Sequence, residues 1–307
     1  MTFVIIVCAA AALVLLISYI CVRETFYVRS SGRDEPKVPH EKQYIEVSDK
    51  IMGFINGASA IGYEDVYTES HDGLRLHAKF YAGREGAPTH ILIHGYRSSA
   101  LLDMGGALID AVERGDNALL IDQRAHAGSQ GKYLTFGYNE SRDVLRWINY
   151  INERLGRDNP IVLQGLSMGG ATVLLTTALE LPENVKGVIC DSAYTRNDDI
   201  IKFVMRRDHF PVWLLFPFLR LGGKLFVGYD ICDCNPIEAA KKCKLPIYFI
   251  HGEEDLFVPF EMGMENHKSC PAKKWLFTLP DAGHGLCYLK DEAGYKKVFK
   301  EFIEYVL

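Results

Sequence analysis

The segment Pro160-Ile161-Val162-Leu163-Gln164-Gly165-Leu166-Ser167-Met168-Gly169-Gly170-Ala171 constrains the fold more than any other part of this 307-residue chain. The apolar run from Ile161 to Leu163 suits a strand covered on both faces. Residues 171–179 are rich in Ala, Leu and Thr, long enough for a helix, and Pro182 stops them. Between the two stands Gly165-Leu166-Ser167-Met168-Gly169, a G-x-S-x-G match. In an elbow of this type the serine takes a strained turn conformation and its hydroxyl stands clear of the sheet. The flanking glycines remove side chains that would block the tight strand–helix crossing. The helix beginning there aims free backbone N–H groups and its positive dipole end at the same point.

The rest of the chain supplies the setting for such an elbow. Residues 64–70 and 74–81 alternate in polarity around His71-Asp72-Gly73 and read as a hairpin. After them, strand candidates at 90–94, 118–122, 161–164, 185–190, 247–251 and 275–279 alternate with helix candidates. The helices are expected at 99–114, 139–155, 171–179, 260–267 and 291–307. A repeated β–α alternation implies a mostly parallel sheet with helices on both faces, so the fold class is α/β. Reactive groups in such sheets gather at the carboxyl ends of the strands. One segment, about 194–236, breaks the rhythm. It holds Phe210-Pro211-Val212-Trp213-Leu214-Leu215-Phe216-Pro217-Phe218-Leu219 and reads as a helical cap inserted over the pocket.

Residues 2–22 carry no charge and are apolar enough for a bilayer-spanning helix, which needs about 20 such residues. No Lys or Arg precedes the apolar run and no A-x-A-like site follows it, so a retained anchor is expected rather than a cleaved signal. Residues 23–43, with Pro36 and Pro39, read as a juxtamembrane linker, and 44–307 as the main domain. A helical pattern over 44–61 is expected to pack on it. Arg23, Arg29, Arg33 and Lys37 follow the span, which by the positive-inside rule favours a cytoplasmic main domain, with a translocated domain as the open alternative because large domains can override that bias. The eight cysteines form no C-x-x-C pair and fit free thiols in a reducing compartment. A net charge of -5 gives no case for a nucleic-acid partner, which would require a basic surface.

Ser167 needs a base, because a serine hydroxyl is a weak nucleophile until an imidazole takes its proton. The candidate is His284, in Asp281-Ala282-Gly283-His284-Gly285 beyond the last expected strand. The imidazole needs an acid to orient it. Asp255 follows the preceding strand, with Glu253, Glu254 and Asp191 as competitors. Two preorganised donors must meet the oxyanion. The backbone N–H groups of Met168 and of Tyr96, in His94-Gly95-Tyr96, are the candidates, and His94 is expected to shape that loop. The chemistry requires no metal and no cofactor.

With these residues in view, the sequence resembles the α/β-hydrolase superfamily, closest to its serine-aminopeptidase-like branch. The resemblance covers about residues 63–307. It rests on His94-Gly95, the elbow at Ser167, the stretch His251-Gly252 to Asp255 to Val258-Pro259, and Gly283-His284-Gly285. It implies an eight-stranded sheet and acyl transfer through an acyl-enzyme, with Ser167 as nucleophile, Asp255 as acid and His284 as base. A further stretch, Asp122-Gln123-Arg124-Ala125-His126-Ala127-Gly128-Ser129-Gln130-Gly131, is similar to the family's D-x-R-G-x-G-x-S-x-G loop. Ala125 and Ala127 stand where that pattern has glycines, and Asp122 and Arg124 are expected to order the loop.

The expected function is a membrane-anchored serine hydrolase acting on a carboxylic ester or similar acyl bond of a small, apolar substrate. Two alternatives remain open from the sequence. One is a peptidase acting on N-terminal residues with the same triad. The other is an inert, hydrolase-like scaffold that binds a partner through the cap.

Overall fold

The computed structural model describes residues 1–28 and 38–307. Arg29, Arg33, Pro36 and Lys37, on which the expected linker and charge bias partly rest, lie outside the described residues. In chain order the helices are α1 (Thr2–Phe26), α2 (Lys42–Ile45), α3 (Ser48–Ser59), α4 (Ala100–Arg114), α5 (Glu140–Leu155), α6 (Met168–Thr176), α7 (Asn197–Arg207), α8 (Val212–Gly222), α9 (Pro236–Ala240), α10 (Phe260–Ser269), α11 (Cys287–Lys290) and α12 (Glu292–Val306). The strands are β1 (Glu64–Glu69), β2 (Arg75–Tyr81), β3 (Thr89–Ile93), β4 (Asn117–Ile121), β5 (Ile161–Leu166), β6 (Val185–Asp191), β7 (Ile247–Gly252) and β8 (Lys274–Leu279).

The eight strands form one sheet in the order β1-β2-β4-β3-β5-β6-β7-β8. β2 runs antiparallel to β1 and to β4, and the pairings from β4 through β8 are all parallel. This is the α/β-hydrolase fold, with the expected eight strands. The central strands are apolar on both sides because both sides are covered. On one face Leu92, Leu120, Val162 and Ile189 meet α3, α4 and α12 through residues such as Ala58, Leu108 and Phe302. On the other, Ile91, Leu119, Leu163 and Val188 meet α5, α6 and α9 through Trp147, Val173 and Ala240. The alternation along β3 and β5 therefore assigns one residue to each layer in turn.

Helix termini follow local chemistry. Ser99 caps α4 by accepting from the Leu102 N–H at 3.3 Å, and Gly115 closes it with φ 76°. The helical pattern over 44–61 is broken: a short α2 and a separate α3 meet at Val47 (φ -117°) instead of forming one continuous helix. Between β6 and β7 lie α7, α8, a π-helical turn (Gly223–Val227) and α9. Pro217 sits inside α8.

The N-terminal helix departs from a free anchor plus linker. α1 continues to Phe26, four residues beyond the apolar run, and its last turn belongs to the core. Phe26 is 0% exposed and meets Phe136 and Tyr229 edge-on, with ring centroids 5.6 and 6.0 Å away. The backbone then pairs with residues 132–134: Val28 N–H donates to Lys132 O at 3.0 Å and Leu134 N–H to Phe26 O at 2.9 Å. Residues 23–28 were expected to be linker because they carry charge. Their apolar members, Phe26 and Val28, follow Arg23 and Glu24 and are what the domain takes in.

Candidate active site

β5 delivers Ser167 to the carboxyl end of the sheet at φ 59° and ψ -117°, in the positive-φ region that disfavours a side chain. The turn is tight enough that a Cβ on Gly165 would run into the backbone of Gly169, and one on Gly169 into the carbonyl of Ile93. These two glycines let β3, β5 and α6 close on one point. Ser167 N–H donates to Asp191 O at 2.9 Å, which ties the elbow to the end of β6. Met168 is the first residue of α6, so its N–H has no partner within the helix.

His284 and Asp255 arrive from the loops after β8 and β7. His284 Nδ1 lies 2.7 Å from Asp255 Oδ2. The other carboxyl oxygen, Oδ1, accepts from the N–H groups of Phe257 and Val258, both at 2.8 Å. His251 Nε2 stands 3.3 Å from Oδ2. Burial opposes the charge on Asp255, but the imidazoles of His284 and His251 outweigh it and hold the carboxyl well below its ordinary range. Burial likewise opposes protonation of His284. The Asp255 charge and hydrogen bond, with Asp191 and Asp103 adding, overcome it and raise the imidazole above its ordinary value. Among the competitors, Asp191 accepts from the Ser192 hydroxyl at 2.9 Å and burial pushes it up to about 6. Glu253 accepts from the Thr278 hydroxyl at 2.9 Å, and Glu254 is exposed. His284 is thus paired with Asp255 alone among the four acids.

Ser167, Met168, Tyr96 and His284 line one cavity of about 830 Å³. Among the described residues Ser167 Oγ makes no hydrogen bond, so the hydroxyl is not engaged with the imidazole in this conformation. Such bonds commonly tighten only when substrate binds. The cavity wall is mostly apolar, with Met104, Phe136, Leu166, Ile201, Leu219 and Phe257 among its members.

Buried polar groups shape the loop opposite the serine. His94 Nδ1 lies 2.9 Å from Gly95 O, and its Nε2 accepts from Gln123 N–H at 3.1 Å. Burial, reinforced by His126, pushes His94 down to about 3, so it is neutral and structural. Asp103 holds the same loop: Oδ2 accepts from Gly95 N–H at 2.6 Å and Oδ1 from the Ser98 hydroxyl at 2.5 Å. Asp122 accepts from Gly128 N–H at 3.0 Å, and Arg124 bridges Asp143 and Asp72 with bonds of 2.7 to 3.1 Å. That guanidinium fills the space between Asp72 and Asp143, the two acids that with His71 form the one group of metal-type ligands among the described residues. Ala125 and Ala127 have φ 65° and 40°, so alanines occupy a backbone shaped for glycine.

Three contributors escaped the sequence reading. Asp103 looked like an ordinary residue in the first turn of α4. The Tyr44 hydroxyl donates to His284 O at 3.0 Å and steadies the His284 loop from α2. Ile17, Ile20 and Cys21 of α1 line the cavity, so the N-terminal helix forms part of its wall. A signal for the last was present: Ser18 interrupts the apolar run, and it is buried against Gly222 of α8. Small residues at such points let helices approach closely.

The sheet order, the elbow and the loops at the strand ends define an α/β-hydrolase fold. The model for the α/β hydrolase fold matches residues 88–215, which include the elbow at Ser167. It is 25% identical over 217 residues to the uncharacterized protein YqkD of Bacillus subtilis, covering 70% of this chain and 71% of that protein. It is 26% identical over 194 residues to protein bem46 of Schizosaccharomyces pombe, covering 61% and 57%. Among solved structures, the Pyrococcus furiosus esterase Pf2001 superposes with a TM-score of 0.64 at 23% identity, covering 82% of this chain and 95% of that one. The acylaminoacyl peptidase of Pyrococcus horikoshii gives 0.59 at 17% identity, covering 80% and 42%.

Proposed function

We propose that this protein is a serine hydrolase that cleaves a carboxylic ester or similar acyl bond through an acyl-enzyme. The observation that carries the reading is a serine held at φ 59° in the same cavity as a buried imidazole–carboxylate pair 2.7 Å apart. Ser167 Oγ attacks the acyl carbon while His284 takes its proton. Asp255 keeps the imidazole in the required tautomer and stabilises the imidazolium. The N–H groups of Met168 and Tyr96 receive the oxyanion. His284 returns the proton to the leaving group, and water activated by the same imidazole then releases the acid.

The apolar lining favours an acyl or aryl group over a peptide chain, which would call for polar partners along its backbone. α1 serves as a retained membrane anchor, because cleavage after it would remove Val22 and Phe26 from the folded core. The catalytic domain then lies on the cytoplasmic side. Side-by-side assays on acyl esters and aminoacyl amides test the bond type, with Ser167→Ala as control. Esters turned over and amides untouched support the reading. Equal turnover of esters by Ser167→Ala refutes the nucleophile.

A further inference from the structure

The cap carries a face that the catalytic reading leaves unused. On α8, Leu215 and Leu219 turn to the cavity, and Gly222 packs so closely on α1 that an added Cβ would lie 2.6 Å from Ser18 O. The residues facing away are Trp213, 81% exposed, with Leu214 and Leu221. Phe210 extends this exposed surface before α8, and Leu225 and Phe226 extend it after. The charged residues from Phe210 to Phe226 are Arg220 and Lys224, and both are ion-paired with Asp230, at 2.7 and 2.8 Å. No unpaired charge interrupts the face.

This face is continuous with α1. Phe226 meets Tyr19 edge-on, with ring centroids 5.6 Å apart, and Phe3, Ile5, Leu13, Leu16 and Ile20 of α1 are exposed. α1 has 25 residues, and its most apolar 18-residue window has a mean hydropathy of 2.9, enough to span a bilayer. An apolar surface of this kind, joined to a span, fits the interfacial zone of a membrane, where tryptophan also concentrates. Inside, Ile17 and Ile20 of α1 and Leu215 and Leu219 of α8 line the cavity that holds Ser167. The wall between pocket and lipid is therefore made of the anchor and the cap helix.

We infer that the cap face from Phe210 to Phe226 sits in the same bilayer as α1, and that the substrate is a membrane-resident ester with a long acyl chain. The chain reaches Ser167 from the bilayer along α1 and α8. The inference rests on the acyl-transfer reading and on α1 as an anchor. In the reaction the Ser167 Oγ–acyl bond forms as the acyl–oxygen bond of the lipid breaks. The alcohol leaves with the proton from His284, and water then frees the fatty acid.

The test uses the full chain in phosphatidylcholine–phosphatidylglycerol vesicles. Trp147 is fully buried, and subtraction of a Trp213→Phe protein isolates the Trp213 emission. Lipids brominated near the head-group end of the chain should quench Trp213 about twofold, while aqueous iodide does not, as for an interfacial side chain. The Ser167→Ala protein should give the same quenching, so this readout is independent of the chemistry. Trp213 as open to iodide as free tryptophan amide would overturn the membrane face. So would protection from iodide without bromolipid quenching, the result for a face covered by a second copy. Protein that fails to float with the vesicles would remove the anchor and the inference together. For substrate, a hexadecanoyl ester in the vesicles should exceed the acetyl ester of the same alcohol by at least about tenfold in kcat/KM, since each buried methylene contributes. The reverse order would overturn the substrate class. Loss of hydrolysis on every ester, with quenching intact, would instead sink the acyl-transfer reading.

Discussion

The Tyr96 hydroxyl donates a 2.9 Å hydrogen bond to the carbonyl of Thr25, fastening the loop opposite Ser167 to the last turn of α1. Arg97 adds bonds to Glu24 O at 2.7 Å and Tyr27 O at 2.8 Å. Carbonyls at the end of a helix lack partners within it, so the loop also serves as the C-terminal cap of α1. The loop that carries the Tyr96 N–H and the helix that walls the cavity are thereby one unit.

Arg97→Ala removes two of these bonds, each contributing about 0.5 to 1.5 kcal/mol. The protein should fold, and turnover of a short ester should fall about three- to tenfold through kcat, with KM little changed. Steady-state kinetics on full-length protein checks this. An unchanged kcat would uncouple the helix from the site.

Phe26→Ala tests whether the end of α1 belongs to the core. Deleting a fully buried phenylalanine costs about 3 to 5 kcal/mol. A denaturant midpoint shift of that size is expected in detergent. A shift near zero would mean α1 is a detached tether.

Ala125→Gly should stabilise the protein. Its φ of 65° is one that alanine reaches with strain of about 1 kcal/mol and glycine reaches freely. The gain is reduced by the larger unfolded-state entropy of glycine, so an increase of about a few tenths of a kcal/mol is the expected net. A lowered melting temperature would contradict it.

In the proposed mechanism His284 must be neutral to accept the serine proton, so activity should be lost as pH falls through its pKa. Because Asp255 raises that pKa, the acid limb of kcat/KM should lie above the ordinary imidazole value of about 6.5. Asp255→Asn removes the raising charge. The limb should move down by about one unit or more, and the rate should drop about 10⁴-fold as the tautomer is lost. A pH–rate profile of both proteins reads this, and a limb that stays in place would contradict the pairing.

The sheet was legible because each central strand is a continuous apolar run between turn residues, and helix periods separate them. Most boundaries shifted by only a residue or two, as at β3 and α4. The elbow and the loops of Asp255 and His284 were visible because glycine marks them. Asp103 and Tyr44 were not, since their roles depend on what stands opposite across the fold. Nothing in residues 23–28 considered alone shows that Phe26 fills a hole between Phe136 and Tyr229. The break at Val47 was also hidden, because apolar residues on both sides keep the helical period.

The most direct test of the account is mass mapping after exposure to a fluorophosphonate. The phosphonyl group should appear on the peptide carrying Ser167, in a one-to-one ratio with protein, and should be lost in His284→Ala. Ester hydrolysis that persists with Ser167 unmodified, or an adduct on a different residue, would contradict it.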